Sequence, residues 1–97
     1  MKKTLYDTTV LIEAVESRRK LEEYTTVLNI VEFLRALELG LTVITPSLED
    51  YPLAVRISQV MVKRGTPAPA VDAVVAAVAV NRELTLVTRE EHFEWIK

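Results

Sequence analysis

Thr4-Leu5-Tyr6-Asp7-Thr8-Thr9-Val10-Leu11-Ile12-Glu13-Ala14-Val15 changes its period at a single acidic residue. Thr4-Leu5-Tyr6 has strand character, and Val10, Leu11, Ala14 and Val15 then recur at helical spacing. Asp7 therefore stands where a strand hands over to a helix. The same alternation continues downstream. After the polar stretch from Glu16 to Glu23, Tyr24-Thr25-Thr26-Val27 is β-branched and predicts a second strand. Asn29 is placed to cap a helix carrying Ile30, Val31, Phe33, Leu34 and Leu37, which stops at Gly40. Leu41-Thr42-Val43-Ile44-Thr45 predicts a third strand, ended by Pro46.

Ser47-Leu48-Glu49-Asp50 has the form of a capping box with Asp in the usual Glu place. It opens a helix with the core stripe Leu53, Ile57, Val60 and Met61, and Gly65, Pro67 and Pro69 then break the chain. The segment from about Ala70 to Asn81 is apolar on every face, which predicts a helix buried on all sides. Leu84-Thr85-Leu86-Val87 is the fourth strand, and Thr88 is placed to cap a last short helix with Phe93 and Trp95. Strands alternating with helices imply an α/β sandwich, a parallel sheet between helical layers. With no repeat, low-complexity segment or linker, residues 1–97 are expected to form one domain.

Composition removes several chemistries. The absence of cysteine excludes disulfides, thiolate metal sites and a Cys nucleophile, and the single histidine, His92, excludes a multi-His centre. Twelve basic against 14 acidic side chains give a net charge of −2, which disfavours nucleic-acid binding by bulk electrostatics. Local clusters at Arg18-Arg19-Lys20 and Lys63-Arg64 remain candidates for phosphate contact, with a solvated helix end or loop as the plainer role. Met1-Lys2-Lys3 precedes an apolar stretch too short for a signal peptide. The apolar segment from Ala70 to Val80 falls below the roughly 18 residues of a membrane helix. A cytoplasmic protein without membrane attachment is expected.

In open α/β sheets the working crevice lies beyond the carboxyl ends of the strands. Asp7 follows the first strand directly, and Glu90 lies three residues past the fourth. Asp72 is the only charge in its helix, where a lone ionised carboxylate is costly unless paired, hydrogen-bonded or metal-bound. Its plainer role is to favour the helix dipole from the first turn. Glu32 shares a helical stripe with Leu28, Ala36 and Leu39, and its plainer role is to reach back to the backbone of Asn29. Asp7 has its own plain role, that of starting the first helix. Were the four acids to converge, they would make a hard-cation site for Mg²⁺ or Mn²⁺.

These segments together resemble the motifs of PIN domains. Asp7-Thr8-Thr9-Val10-Leu11-Ile12-Glu13 is similar to the opening motif, and Thr26-Val27-Leu28-Asn29-Ile30-Val31-Glu32-Phe33-Leu34-Arg35 to the second. Pro69-Ala70-Val71-Asp72-Ala73-Val74-Val75-Ala76-Ala77 resembles the third, and Leu86-Val87-Thr88-Arg89-Glu90-Glu91-His92-Phe93 the last. The resemblance spans nearly the whole chain and is nearest to VapC-like toxins of toxin–antitoxin pairs. It implies an Mg²⁺- or Mn²⁺-dependent endoribonuclease acting on single-stranded RNA, often homodimeric and restrained by a cognate antitoxin. By that resemblance Asp7, Glu32, Asp72 and Glu90 are the catalytic metal ligands. Thr8 and Thr88 would support them, and Arg35 and Arg89 would pair with the acids or meet RNA phosphates.

The sequence departs from the pattern in three places. Thr9 stands where Asn or Ser is usual, and Glu90 replaces the commoner Asp, with Glu91 as a rival whose plainer role is a capping box with Thr88. The third departure is length. The helical insert many relatives carry after the Glu32 helix and the edge strand many add beyond the position of Lys97 are not expected here, which leaves four strands, placed by the resemblance in the order 3-2-1-4. A PIN-like module that binds protein without catalysis is the alternative function. A phosphoacceptor receiver would need a second acid beside Asp7, where Tyr6 and Thr8 stand, and a haloacid-dehalogenase-like phosphatase an Asp at Thr9.

Overall fold

The computed structural model describes residues 3–89. Its strands are β1 (Thr4–Tyr6), β2 (Tyr24–Thr26), β3 (Thr42–Ile44) and β4 (Thr85–Val87), and its α-helices are α1 (Thr8–Glu16), α2 (Val27–Glu32), α3 (Asp50–Lys63) and α4 (Ala70–Asn81). A 3₁₀ helix covers Leu34–Leu39. The strands form one parallel sheet in the order β3-β2-β1-β4, with Leu5 opposite Tyr24 on one side and Leu86 on the other. This is the PIN-like arrangement, and it places β1 at the centre.

Successive residues of a strand face opposite sides of a sheet, and β1 sorts the layers. Leu5 is fully buried against Val75, Val78 and Ala79 of α4, whereas Tyr6 packs on the other side with Leu11 of α1 and Ile30 of α2. The other flank of α4 offers Ala73, Ala76 and Ala77 to Ala54, Ile57 and Met61 of α3. α4 is thus enclosed by the sheet and by α3, which is why it is apolar nearly all round. Only its ends escape, with Val80 exposed. On α3 the stripe runs through Ala54, not Val60, which is exposed. Among the described residues no helix is long and apolar enough to cross a membrane.

The segment after β2 differs from expectation. Helix α2 is capped by Thr26, not Asn29: the Thr26 hydroxyl accepts from the Asn29 N–H while the Asn29 side chain accepts from the Thr26 N–H. Because Val27 already belongs to α2, β2 ends at Thr26. The helix then stops at Glu32, Phe33 adopts an extended φ of −144°, and the chain resumes as the 3₁₀ helix closed by Gly40 at φ +66°. One extended residue rotates the apolar stripe off the core. Val31, Leu34 and Leu37 consequently face outward, and Ala36 is buried in their place.

A buried carboxylate joins the two helices of the α3–α4 pair. Asp50 is fully buried and accepts from the Ser47 N–H at 2.7 Å, from Asn81 Nδ2 at 2.8 Å and from Arg82 Nη1 at 3.1 Å. The expected Ser47–Asp50 capping box is only half formed: Asp50 accepts from the Ser47 N–H, but the N-cap of α3 is Glu49 and no side chain caps it. The carboxylate reaches on to the end of α4, a role the local pattern did not disclose.

Candidate active site at the carboxyl edge of the sheet

Asp7 follows β1 at the sheet's carboxyl edge, and its N–H donates to the Val87 carbonyl of β4 at 3.2 Å. The residue is only 5% exposed. It caps α1: Oδ1 accepts from the Val10 N–H at 3.4 Å and from the Thr9 hydroxyl at 2.7 Å. Oδ2 accepts from the hydroxyl of Thr88, just beyond β4. Helix capping and site membership are therefore compatible roles, because an N-cap at the end of a central strand lies at the mouth of the crevice.

Glu32 ends α2 and is exposed, yet it is tied to the same region. Its Oε1 accepts from the Thr8 hydroxyl at 2.7 Å, and Thr8 Oγ1 accepts in turn from Asn29 Nδ2 at 2.9 Å. Asn29 is 2% exposed and its amide oxygen accepts from the Thr26 hydroxyl at 2.6 Å. A directed chain of donors, Thr26 to Asn29 to Thr8 to Glu32, thus runs across the carboxyl ends of β2 and β1. The reciprocal bonds of the α2 capping box belong to Thr26 and Asn29, so Glu32 does not supply them.

Asp72 lies in the first turn of α4 and is partly buried. Helix α4 leads back into β4, which is parallel to β1, so the helix runs against the strands and its first turn lies toward their carboxyl ends. Among the described residues no three Asp, Glu or His side chains are grouped closely enough to hold a metal ion. Glu90, the fourth expected acid, lies outside the described residues, as do Glu91, His92, Phe93 and Trp95.

The two arginines are both paired. Arg35 binds Glu38 of the same 3₁₀ helix at 3.1 Å, and hydrogen bonding and charge from Glu38 raise its pKa. Arg89 forms a fork with Glu13, Nε to Oε2 at 3.0 Å and Nη2 to Oε1 at 3.1 Å. Hydrogen bonding to Arg89 and then its charge hold the Glu13 carboxyl below its usual range. The Arg89 pKa is raised chiefly by Glu13, with a further contribution from the charge of Asp7. In the sequence Glu13 stands only within the opening motif, with no role of its own, and Asn29 only as a cap. The signal for Glu13 was its i+4 spacing from Thr9, which puts both on one face of α1.

No family model matches the sequence, and no curated protein matches it. Solved structures do share its fold. A chain of the VapBC2 complex from Rickettsia felis bound to a promoter DNA fragment superposes with a TM-score of 0.78 at 14% identity, covering 96% of this chain and 92% of that one. A chain of DNA-bound VapBC from Salmonella typhimurium gives 0.77 at 19% identity, with 97% and 92% covered. A toxin–antitoxin complex from Klebsiella pneumoniae gives 0.71 at 17% identity, with 95% and 91% covered. At these identities the likeness is one of fold.

Proposed function

We propose that this protein is a VapC-like ribonuclease, the toxin of a toxin–antitoxin pair, which cuts single-stranded RNA with the help of Mg²⁺ or Mn²⁺. The observation that carries the reading is the buried Asp7 at the end of the central strand, met by donors on both carboxylate oxygens. The fold shared with chains of toxin–antitoxin complexes supports the antitoxin as partner.

The donor set suits a hard cation. It consists of carboxylate and hydroxyl oxygens, and the chain has no cysteine. Mg²⁺ is usually held by one or two carboxylates, with waters completing its shell. Asp7, Glu32, Asp72 and Glu90 would hold the ion, which when bound lowers the pKa of water and polarises a phosphodiester. The chain's own residues do the positioning. Thr9, Thr88 and the Val10 N–H orient Asp7 through hydrogen bonds to its two carboxylate oxygens. Asn29 orients Thr8, and Thr8 fixes one oxygen of Glu32.

A homodimer belongs to the same reading. The outer face of α3 presents Tyr51, Val55 and Val62 beside Val74 of α4 around an open apolar groove of about 660 Å³. Groups of this size exposed on a small domain mark contact surfaces.

The test is Mn²⁺-dependent cleavage of single-stranded RNA, with a calorimetric Mn²⁺ titration beside it. Asp7→Asn is expected to abolish cleavage and weaken metal binding at least tenfold, about the lower bound for loss of a metal-supporting group. Robust cleavage by cleanly prepared Asp7→Asn protein defeats the reading. Failure of the unaltered protein to bind millimolar Mn²⁺ favours the catalytically silent protein-binding module.

A further inference from the structure

Arg89 reaches helix α1 at two points. Its backbone N–H donates to Thr9 Oγ1 at 3.2 Å, and its guanidinium forks onto the Glu13 carboxylate at 3.0 and 3.1 Å. Thr9 and Glu13 are four residues apart on α1 and so share a face. Arg89 comes from the other end of the sequence, 76 positions from Glu13, so the contact joins two parts of the fold that nothing local brings together. Thr9 passes the connection on. Its hydroxyl accepts from the Arg89 N–H and donates to Asp7 Oδ1, while Thr88, the residue before Arg89, donates to Asp7 Oδ2. Asp7 Oδ2 is thus addressed by a hydroxyl from the segment after β4, and Oδ1 by a hydroxyl of α1 that this same segment touches.

We propose that Glu13 is a positioning residue, gripping Arg89 so that the segment leaving β4 keeps the Thr88 hydroxyl on Asp7. An exposed ion pair contributes little by itself, but a planar two-point fork is the geometry in which such a pair does hold. Strand β4 ends at Val87, so the ladder no longer guides the chain where Thr88 must meet Asp7. The clamp supplies the missing restraint, and it acts immediately before Glu90. In this account the guanidinium of Arg89 is committed to Glu13 and orients the site; it is not the group that meets RNA. The inference rests on the nuclease reading only for what the clamp serves.

Amide hydrogen exchange at Arg89, compared with Leu11 inside α1, tests the clamp without metal or RNA. Glu13→Ala and Glu13→Gln are expected to speed exchange at Arg89 by about two- to fivefold, the range for exposed ion pairs, and to leave Leu11 unchanged. Glu13→Asp should restore part of the protection. The second readout is Mn²⁺ titration and RNA kinetics on Glu13→Ala, Arg89→Ala and the double variant. All three should weaken Mn²⁺ binding by the same factor of about two to five and lower kcat with little change in KM. If Arg89 instead meets phosphate, Glu13→Gln frees it and lowers KM while Arg89→Ala raises it, and that opposite movement overturns the proposal. Unchanged exchange at Arg89 in both Glu13 variants overturns it whatever the metal does. If the unaltered protein binds no Mn²⁺, the nuclease reading falls and the clamp is judged on exchange alone.

Discussion

Replacing Asp50 by alanine is predicted to be among the most destabilising single changes in this protein. The carboxylate is fully buried and collects donors from Ser47, Asn81 and Arg82. Burial acts to raise its pKa, but the hydrogen bonds from Asn81, Ser47 and Arg82, with the charge of Arg82, outweigh burial and hold it below the usual carboxylate range. Removing one member of a buried pair costs about 3–5 kcal/mol, because the other charge is left without compensation. Arg82 is 28% exposed and recovers some water, so the lower end, about 3 kcal/mol, applies. For a domain of this size each kcal/mol moves the midpoint by about 4–8 °C, so the Tm should fall by about 12–24 °C. The pH dependence has a definite sign. A carboxyl with a depressed native pKa contributes stability above its unfolded value of about 3.9, and that stability is lost as pH falls through the lower native value. Thermal melts of the unaltered protein should therefore drop below about pH 4, and those of Asp50→Asn should drop less. Scanning both proteins and Asp50→Ala by calorimetry between pH 2.5 and 7 decides the matter. A Tm loss of only about 4 °C for Asp50→Ala at pH 7 would refute the reasoning, since it corresponds to no more than about 1 kcal/mol.

The remaining predictions concern the site. Thr8→Val removes both the acceptor for Asn29, which is 2% exposed, and the donor to Glu32. Leaving the buried amide unsatisfied should cost about 1–3 kcal/mol in urea melts, and Mn²⁺ affinity should fall with it. Thr8→Ser, which keeps the hydroxyl, should recover most of both. If Asp72 lies among the proposed metal ligands, Asp72→Asn should abolish RNA cleavage and, by removing one like charge from that group, raise the Tm of the metal-free protein. A marked fall in its Tm would point to a structural role for Asp72. Tyr51→Lys together with Val55→Glu should shift a dimer toward monomer in sedimentation, and an unchanged mass would exclude the α3 groove as the contact.

Much of this molecule can be read one segment at a time. Leu5 at the centre of a short apolar run, the Val10-Leu11-Ala14-Val15 stripe and the all-apolar α4 are local patterns, because burial in a layered fold imposes a period on the chain. Those periods gave four parallel strands, and the PIN resemblance supplied their order; the placement of Asp7 and Thr88 at strand ends follows because sequence distance and spatial distance coincide at an element boundary.

What tertiary structure alone decided is everything that depends on which distant surfaces meet. The extended conformation of Phe33, which turns Val31, Leu34 and Leu37 away from the core, has no proline or glycine to announce it. Asp50 carries an ordinary capping signature, and only the packing of α3 on α4 brings Arg82 to it. Glu13 is one acidic residue among 14 until the chain beyond β4 returns to α1. Hydrogen bonds and ion pairs are short-ranged and directional, whereas a sequence pattern records only the solvent preference of each face. The pattern thus determines which side of a helix is buried, and the completed fold determines which polar groups find one another.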